Sequence, residues 1–260
     1  VRLINAQTIE TLKKRTLVFN ILHRFGNLSD GGHGFWGFDQ ATNIRFAFLY
    51  AMKDNWMIGI GRSKVNEDLD ASTKIKFFSQ TKDNKMPVSV AWYSTLAFTP
   101  RVVPTFPDGT KKWTKDAHRF SYTHQLIIAR KFSPGFSFEL LPTLVHRNYV
   151  NDVINLKNGA EETNDLFALG FAGRVKMTKR LSLIADYFHV FSDFRRFNPD
   201  FTYNTPLGIG IEIETGGHVF QINFSNSSGL LESQFIPNTP DAWNDGEVKL
   251  GFNIARVFYL

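Results

Sequence analysis

Residues 207–225 read LGIGIEIETGGHVFQINFS, and this stretch decides the fold. Leucine, isoleucine and phenylalanine take every second position in 207–214 and again in 220–224, with glycine and polar residues between them. Successive side chains of a β-strand point to opposite faces, so each half predicts a strand with one apolar face. Gly216-Gly217 predicts a tight turn between the two strands.

The same stretch contains His218, Ser225 and Asn226, which are residue types that hydrolases use. His218 precedes Ser225 by seven positions, an odd number, so the two residues face opposite sides of a regular strand. They would lie about 23 Å apart at roughly 3.3 Å per residue. A catalytic base must reach its nucleophile by a hydrogen bond. We therefore predict no catalytic residues and no enzyme activity.

The composition favours a membrane barrel over a soluble or helical membrane protein. Phenylalanine occurs 26 times in 260 residues, more than a soluble core usually needs. Mean hydropathy is only −0.20, and no run approaches the roughly 18–20 apolar residues of a membrane helix. A barrel hides its apolar residues at every second position, so its hydropathy resembles that of a soluble protein.

Cysteine is absent, which excludes disulfides, thiolate catalysis and cysteine metal sites. The seven histidines show no zinc-ligand spacing, so we predict no metal and no cofactor. The net charge of +6 permits an anionic partner. The basic residues are scattered and form no stripe, so nucleic acid is not expected as a partner.

Twelve segments alternate with period two, which predicts a single antiparallel transmembrane β-barrel of about twelve strands, with ten or fourteen as alternatives. They lie near 15–26, 43–52, 55–64, 72–80, 86–98, 117–131, 135–147, 164–178, 180–191, 206–215, 217–226 and 246–260. The segment at 180–191 alternates poorly.

The connections between these segments supply a second signal. Even-numbered strands end in short links, and odd-numbered strands end in the longer connections 27–42, 65–71, 99–116, 148–163, 192–205 and 227–245. Outer-membrane barrels have short periplasmic turns and long extracellular loops. A soluble β-sandwich, the alternative fold, does not account for this sorting.

The domain prediction has two parts. Residues 1–14 form an N-terminal periplasmic leader or a plug in the lumen, and residues 15–260 form the barrel. The chain begins at Val1 without a charged start and apolar core, so we expect that a signal peptide has been removed and that the protein lies in the bacterial outer membrane.

If the apolar stripes face lipid, a set of charged and polar residues faces the lumen. These lumen-lining candidates are Arg45, Lys74, Lys76, Glu139, Arg147, Arg174, Lys176, Asp186, Glu212, Glu214, Lys249 and Asn253. They either pair across a filled interior or line a pore whose basic excess favours anions. A twelve-stranded barrel is intermediate between a filled and an open interior, and we favour the filled one. Arg62 and Arg256 fall on the apolar side near strand ends, where long side chains can reach the interface.

Four stretches resemble a family of β-barrel proteins from Bacteroidota that is described as a domain of unknown function: ETGGHVFQINFSNSSG at 214–229, GEVKLGFNIARVF at 246–258, HRFG at 23–26 and GFDQA at 37–41. The resemblance extends from RLIN at 2–5 to RVF at 256–258. It implies an outer-membrane barrel of a Gram-negative bacterium. It implies no activity and no catalytic residues.

Three functions remain open. The favoured one is a narrow channel or transporter for small, anionic solutes, with outer-membrane lipid as its surroundings. The second is a non-conducting barrel that anchors or assists a larger assembly of envelope proteins, with the aromatic connections at 27–42 and 191–203 as candidate contact surfaces. The third is an outer-membrane enzyme, which is disfavoured because no catalytic constellation passes the spacing test.

Overall fold

Twelve antiparallel strands close into a barrel in the computed structural model, which describes residues 2–260. A short hairpin precedes them, formed by β1 (Arg2–Leu3) and β2 (Ala6–Gln7). The barrel strands are β3 (Thr16–Asn27), β4 (Ala41–Lys53), β5 (Trp56–Ser63), β6 (Leu69–Phe78), β7 (Ser89–Phe98), β8 (Phe120–Ser133), β9 (Phe136–Arg147), β10 (Asp165–Lys176), β11 (Leu181–Phe191), β12 (Leu207–Thr215), β13 (His218–Ser225) and β14 (Lys249–Tyr259). Helix α1 (Glu232–Phe235) lies between β13 and β14.

Each barrel strand pairs with its neighbours in sequence, and β14 pairs with β3 to close the ring. In that closing pair Ile254 lies opposite Ile21 and Phe258 lies opposite Leu17. The predicted all-β fold, the single antiparallel barrel and the count of twelve strands are confirmed. Closure pairs both edges of every strand, so no open sheet edge remains in the barrel.

The poor alternation near 180–191 has a physical cause. In β11 the outward Leu183 is 45% exposed, whereas the inward Ile184 and Phe188 are 1% and 0% exposed. The outer face of this strand is apolar because it faces lipid, and the inner face mixes the polar Ser182 and Asp186 with Ile184 and Phe188. A regular alternation of polar and apolar residues therefore does not appear here.

The connections sort to the two ends of the barrel as predicted. One end, called the loop end below, carries 28–40, 64–68, 99–119, 148–164, 192–206 and 226–248. The other, called the turn end, carries the two-residue links 54–55, 134–135 and 216–217, the link 177–180 and the longer link 79–88.

The outer surface carries the apolar stripes. Phe48, Ile60 and Phe167 are 47%, 64% and 60% exposed, as expected for side chains that face hydrocarbon. The two arginines on this surface make local contacts. Arg62 donates to the carbonyl oxygen of Glu67 at 2.6 Å, and the Arg256 guanidinium lies 5.0 Å from the centre of the Phe258 ring. Of the helices in residues 2–260, none has the length and apolar character to cross a membrane.

Candidate functional site: the interior of the barrel

Residues 2–8, called the N-terminal segment below, lie among the inward-facing side chains of the barrel. The carboxylate of Asp186 accepts hydrogen bonds from the backbone N–H groups of Asn5 and Ala6, at 2.6 and 2.9 Å. Asn253 Nδ2 donates to the carbonyl oxygen of Ile4 at 3.1 Å. The segment is buried throughout. Val1 lies outside the described residues.

Residues 230–236, called the loop segment below, enter the interior from the loop end. Leu230, Glu232 and Phe235 are fully buried. Gln234 fixes the segment to the rim of β5, because its Nε2 donates to Ser63 Oγ at 2.7 Å and to Asp68 Oδ2 at 2.8 Å.

The two segments meet at a buried ion pair. Arg2 Nη2 lies 2.6 Å from Glu232 Oε1, and the side chains are 8% and 0% exposed. Arg2 Nη1 also donates to the carbonyl oxygen of Leu230, and Gln7 Nε2 donates to Glu232 Oε1 at 3.3 Å. A buried charge that loses its partner is strongly destabilising, so this pair ties the position of each segment to that of the other.

The interior has two unlike sides. The polar wall, on β3–β6 and β12–β14, consists of Arg24, Asn43, Arg45, Asp70, Lys74, Gln221, Asn223 and Asn253. The apolar wall, on β7–β11, is formed mainly by Ala91, Tyr93, Ile127, Leu141, Val145, Leu166, Ala168, Ala172, Ile184 and Phe188, and Glu139 and Asp186 on the same strands are also buried there. Leu3, Ile4 and Ala6 of the N-terminal segment and Phe235 and Ile236 of the loop segment pack against the apolar wall.

Glycines at inward positions make room for this filling. A Cβ on Gly208 would lie 2.7 Å from Cγ2 of Ile4 and 2.8 Å from Oδ1 of Asp186. A Cβ on Gly170 would lie 2.4 Å from the Phe188 ring. Such approaches are too short for carbon atoms, so the positions accept only glycine unless the neighbouring side chains move.

Open space remains at both ends of the barrel. A cavity of about 670 Å³, called the loop-end vestibule, lies between the connections 64–68, 99–119, 148–164 and 226–248. A cavity of about 430 Å³, called the turn-end cavity, is lined by residues that include Thr8, Glu10, Glu139, Arg174, Lys176 and Glu212. Among residues 2–260 the two cavities share no lining residue. Between them, beside Arg2, the space shrinks to pockets of about 30 and 20 Å³.

Four of the lumen-lining candidates bond to the N-terminal segment or to the residue that follows it: Lys74, Glu139, Asp186 and Asn253. Lys74 Nζ donates to the carbonyl oxygen of Thr8 at 2.8 Å. The backbone N–H of Ile9 donates to Glu139 Oε2 at 3.3 Å. These candidates therefore bind the chain that fills the lumen.

Four other candidates engage in ion pairs with inward-facing carboxylates or arginines. Arg45 donates to both carboxylate oxygens of Asp70, at 3.1 and 2.5 Å. Arg174 bridges Glu212 and Glu214, at 2.7 Å to each. Both sets of contacts reach across one intervening strand, β5 or β11, so inward charges two strands apart neutralise one another.

The last four candidates lie towards the barrel ends. At the loop end, Arg147 pairs with Glu162 at 2.9 Å, and Lys249 pairs with Asp241. The candidates at the turn end are the half-buried Lys76 and the exposed Lys176. The twelve candidates are thus spread along the whole interior and form no single site.

Several interior residues escaped the sequence reasoning. Arg24 is fully buried and donates to Asn5 Oδ1 at 3.1 Å. Its position on the polar face of the first predicted strand could have identified it as a residue that faces the lumen. Asp70 lies just outside the strand predicted at 72–80. Arg2 and Glu232 lie in segments without periodicity, so no pattern marked them.

The side chains considered for a hydrolase lie in different surroundings. Ser225 is buried in the interior and its Oγ accepts from Asn5 Nδ2 at 3.4 Å, whereas the His218 ring stacks on Phe220 at the turn end. Residues 2–260 contain no group of three histidine or carboxylate side chains that could hold a metal ion.

A family model places this architecture in a known family. The model described as Membrane bound beta barrel domain (DUF5777) matches residues 1–258. The chain belongs to this family. The predicted resemblance to a membrane-barrel family of unknown function is therefore confirmed, while the origin in Bacteroidota stays a prediction. No curated protein is significantly similar in sequence.

Solved structures of outer-membrane proteins share the fold of this family member. An outer membrane channel from Pseudomonas putida F1 superposes with a TM-score of 0.57 at 12% identity, over 96% of this chain and 98% of that chain. The NanC porin and the KdgM porin each superpose with a TM-score of 0.54, at 8% and 6% identity, over 94% of this chain and 99% of theirs. At such identities the likeness extends to the fold alone, which is that of an outer-membrane porin.

Proposed function

We propose that the chain is an outer-membrane channel for small, anionic solutes, and that the interior described above is its closed state. The loop end faces outwards and the turn end faces the periplasm, as in other outer-membrane barrels. The N-terminal segment and the loop segment close the lumen together. Lipid of the outer membrane surrounds the apolar stripes.

One observation carries this proposal. The loop-end vestibule and the turn-end cavity occupy opposite ends of one barrel, and between them lie two short segments that are not barrel strands. If these segments move, the barrel wall stays paired, because its twelve strands form a closed ring by pairing with one another and not with these segments. A lumen that opens without loss of the barrel is what a gated channel requires.

The polar wall offers the path for solute. Its arginine, lysine, asparagine and glutamine side chains exchange bonds with the N-terminal segment for bonds with water at small cost. Apart from its buried polar side chains, such as Glu139 and Asp186, the apolar wall has no such exchange available. An open lumen is therefore hydrated along β3–β6 and β12–β14, where Arg24 and Lys74 give it a positive lining.

The test is conductance in a planar bilayer under a salt gradient. The wild-type protein is compared with a variant that lacks residues 2–14. We expect brief, small steps from the wild type and larger, long-lived, anion-selective steps from the variant. Insertion of both proteins is verified by the shift in electrophoretic mobility between unheated and heated samples. A silent variant that is correctly inserted would rule out the channel.

The second candidate function is a non-conducting barrel that anchors or assists an envelope assembly. The connection 28–40 favours it, because Phe35 and Trp36 are 56% and 54% exposed and both adopt left-handed backbone conformations, with φ of 47° and 51°. Such a conformation is costly for bulky residues, and exposed rings held in this way suit a protein contact. Co-purification of envelope proteins that is lost on Phe35→Ser and Trp36→Ser substitution, together with a silent bilayer, would favour this function.

A further inference from the structure

We infer that the loop-end vestibule is a binding site for a small, polyhydroxylated carboxylate such as a sugar acid. Arg101 and Arg119 would bind its carboxylate and Lys112 would add a third positive charge. The inference goes beyond the proposed channel, since binding in the vestibule requires no conduction through the barrel.

The first argument is the crowding of positive charge. Arg119 Nη1 donates to the carbonyl oxygen of Arg101 at 2.8 Å, so the two arginines are neighbours. Their guanidinium carbons lie 5.4 and 5.0 Å from the centre of the Trp113 ring. Among the described residues, neither arginine nor Lys112 forms an ion pair with a carboxylate. Like charges held together without a counterion favour the binding of an anion.

The second argument is that the nearby acids do not supply the missing negative charge. Glu162 is already bound by two arginines, Arg147 at 2.9 Å and Arg195 at 2.8 Å. The other vestibule acid, Asp68, is buried, and its burial raises the pKa of the carboxyl group. Glu162 thus leaves the charge on the 99–119 connection uncompensated, and Asp68, which already accepts a hydrogen bond from Gln234 Nε2 at 2.8 Å, acts on Arg101 only through space.

The third argument is the unused hydrogen-bonding capacity around the vestibule. His118 Nδ1 and Ser233 Oγ are buried and have no hydrogen-bond partner in the part of the chain that the structure describes, and both residues line the vestibule. Unsatisfied polar groups of this kind are uncommon and costly. Because both atoms are closed to solvent in this structure, a solute rich in oxygen atoms would offer them partners only after a movement of the two side chains.

The fourth argument concerns the size and the neutral lining, which select among anions. The volume of about 670 Å³ lies within the roughly 300–1,000 Å³ typical of small-molecule sites and far exceeds an inorganic ion. Neutral amide and hydroxyl groups of Asn151, Ser228 and Asn238 also line it. Such groups bind hydroxyls, so the combination fits a carboxylate that carries several hydroxyl groups.

The test is isothermal titration calorimetry of the folded, detergent-solubilised protein with galacturonate, galactose and inorganic phosphate. We expect galacturonate to bind at least tenfold more tightly than galactose or phosphate. Arg101→Gln removes a charged hydrogen-bond donor from the site and should weaken galacturonate binding by roughly tenfold or more. Its matched control is Arg180→Gln, which makes the same change at an exposed position of the turn end and should leave binding unchanged.

A second pair of variants protects the test against local misfolding of the 99–119 connection. Lys112→Gln should weaken binding, whereas Lys111→Gln, at the exposed neighbouring position, should not. No binding of galacturonate to the wild type, or equal loss in each variant and its control, would overturn the inference. Equal binding of galactose would overturn the role of the carboxylate, and equal binding of phosphate would overturn the role of the hydroxyl groups. A silent bilayer with intact binding would count against the channel alone.

Discussion

The polar wall and the apolar wall hold the same N-terminal segment by different interactions. On the polar wall, Arg24 Nη2 and Asn253 Nδ2 both donate to the carbonyl oxygen of Ile4, at 3.3 and 3.1 Å. On the apolar wall, the side chain of Ile4 packs in the buried cluster that contains Leu141 and Phe188. One residue therefore faces both kinds of surface, with its backbone to one and its side chain to the other.

The difference determines how each wall responds when the segment leaves. Polar groups recover their hydrogen bonds from water, so the polar wall loses only a modest net free energy. Apolar side chains exposed to a wet lumen lose about 25 cal/mol for each Å² uncovered. If the lumen opens as proposed, the polar wall permits this at small cost, and the apolar wall supplies most of the cost of opening.

The largest effect is expected for Glu232→Gln, which breaks the buried ion pair with Arg2. Loss of one partner from a buried pair typically costs about 3–5 kcal/mol. Because hydration of Arg2 relieves this cost, we expect the N-terminal segment to leave the interior. The measurement is the fraction of time for which the channel conducts in a planar bilayer, and this fraction should rise strongly. Glu161→Gln, at an exposed position of the loop end, is the control, and an equal response from both variants would show that the pair does not hold the closed state.

Leu141→Ala tests the apolar wall. Leu141 is fully buried in the interior cluster, and truncation of such a leucine costs about 2–5 kcal/mol. We expect a lower midpoint of urea unfolding with unchanged ion selectivity, because the polar wall keeps its charges. Leu144→Ala on the same strand faces lipid and should cost much less. If the two variants unfold alike, the interior cluster is not the packed core that the burial indicates.

Gly208→Ala perturbs the two walls at their junction. The added Cβ would meet Ile4 and Asp186 at 2.7 and 2.8 Å, and overpacking of this kind costs about 1–3 kcal/mol. We expect the N-terminal segment to shift, with easier cleavage of its chain by an added protease. The control is Gly216→Ala, because a Cβ there would meet no atom within 4 Å. If the protease cleaves the N-terminal segment equally slowly in both variants, the segment accommodates the added Cβ without leaving its place.

The barrel was predictable because lipid and interior impose a two-residue period on almost every strand. The predicted segment at 72–80 became β6 at Leu69–Phe78, and most other boundaries shifted by similar or smaller amounts. Arg45 and Asp186, which the alternation assigns to the polar face of their strands, are 5% and 1% exposed in the structure.

The filling of the interior was not predictable in the same way. The bond between Arg2 and Glu232 joins residues 230 positions apart, in two segments that carry no strand periodicity. The partner of each lumen-lining residue depends on where these segments lie, and alternation records only which face a residue occupies. Tertiary contacts of irregular segments therefore have to be seen in the structure.

The smallest effect is expected for the pH response at the loop end of the polar wall. Burial raises the pKa of Asp68, although hydrogen bonds from Gln234 and Asn66 oppose the shift. The folded protein therefore binds this proton more readily than the unfolded chain, so the contribution of Asp68 to the free energy of unfolding falls as pH rises from about 4 through the raised pKa.

Asp68→Asn keeps an oxygen that accepts from Gln234 and removes the titration. The difference in urea midpoint between variant and wild type should change in favour of the variant as pH rises from 4 to 7. A difference that is constant with pH would show that the hydrogen bonds from Gln234 and Asn66 offset the burial of Asp68, so that its pKa is the same in the folded and the unfolded protein.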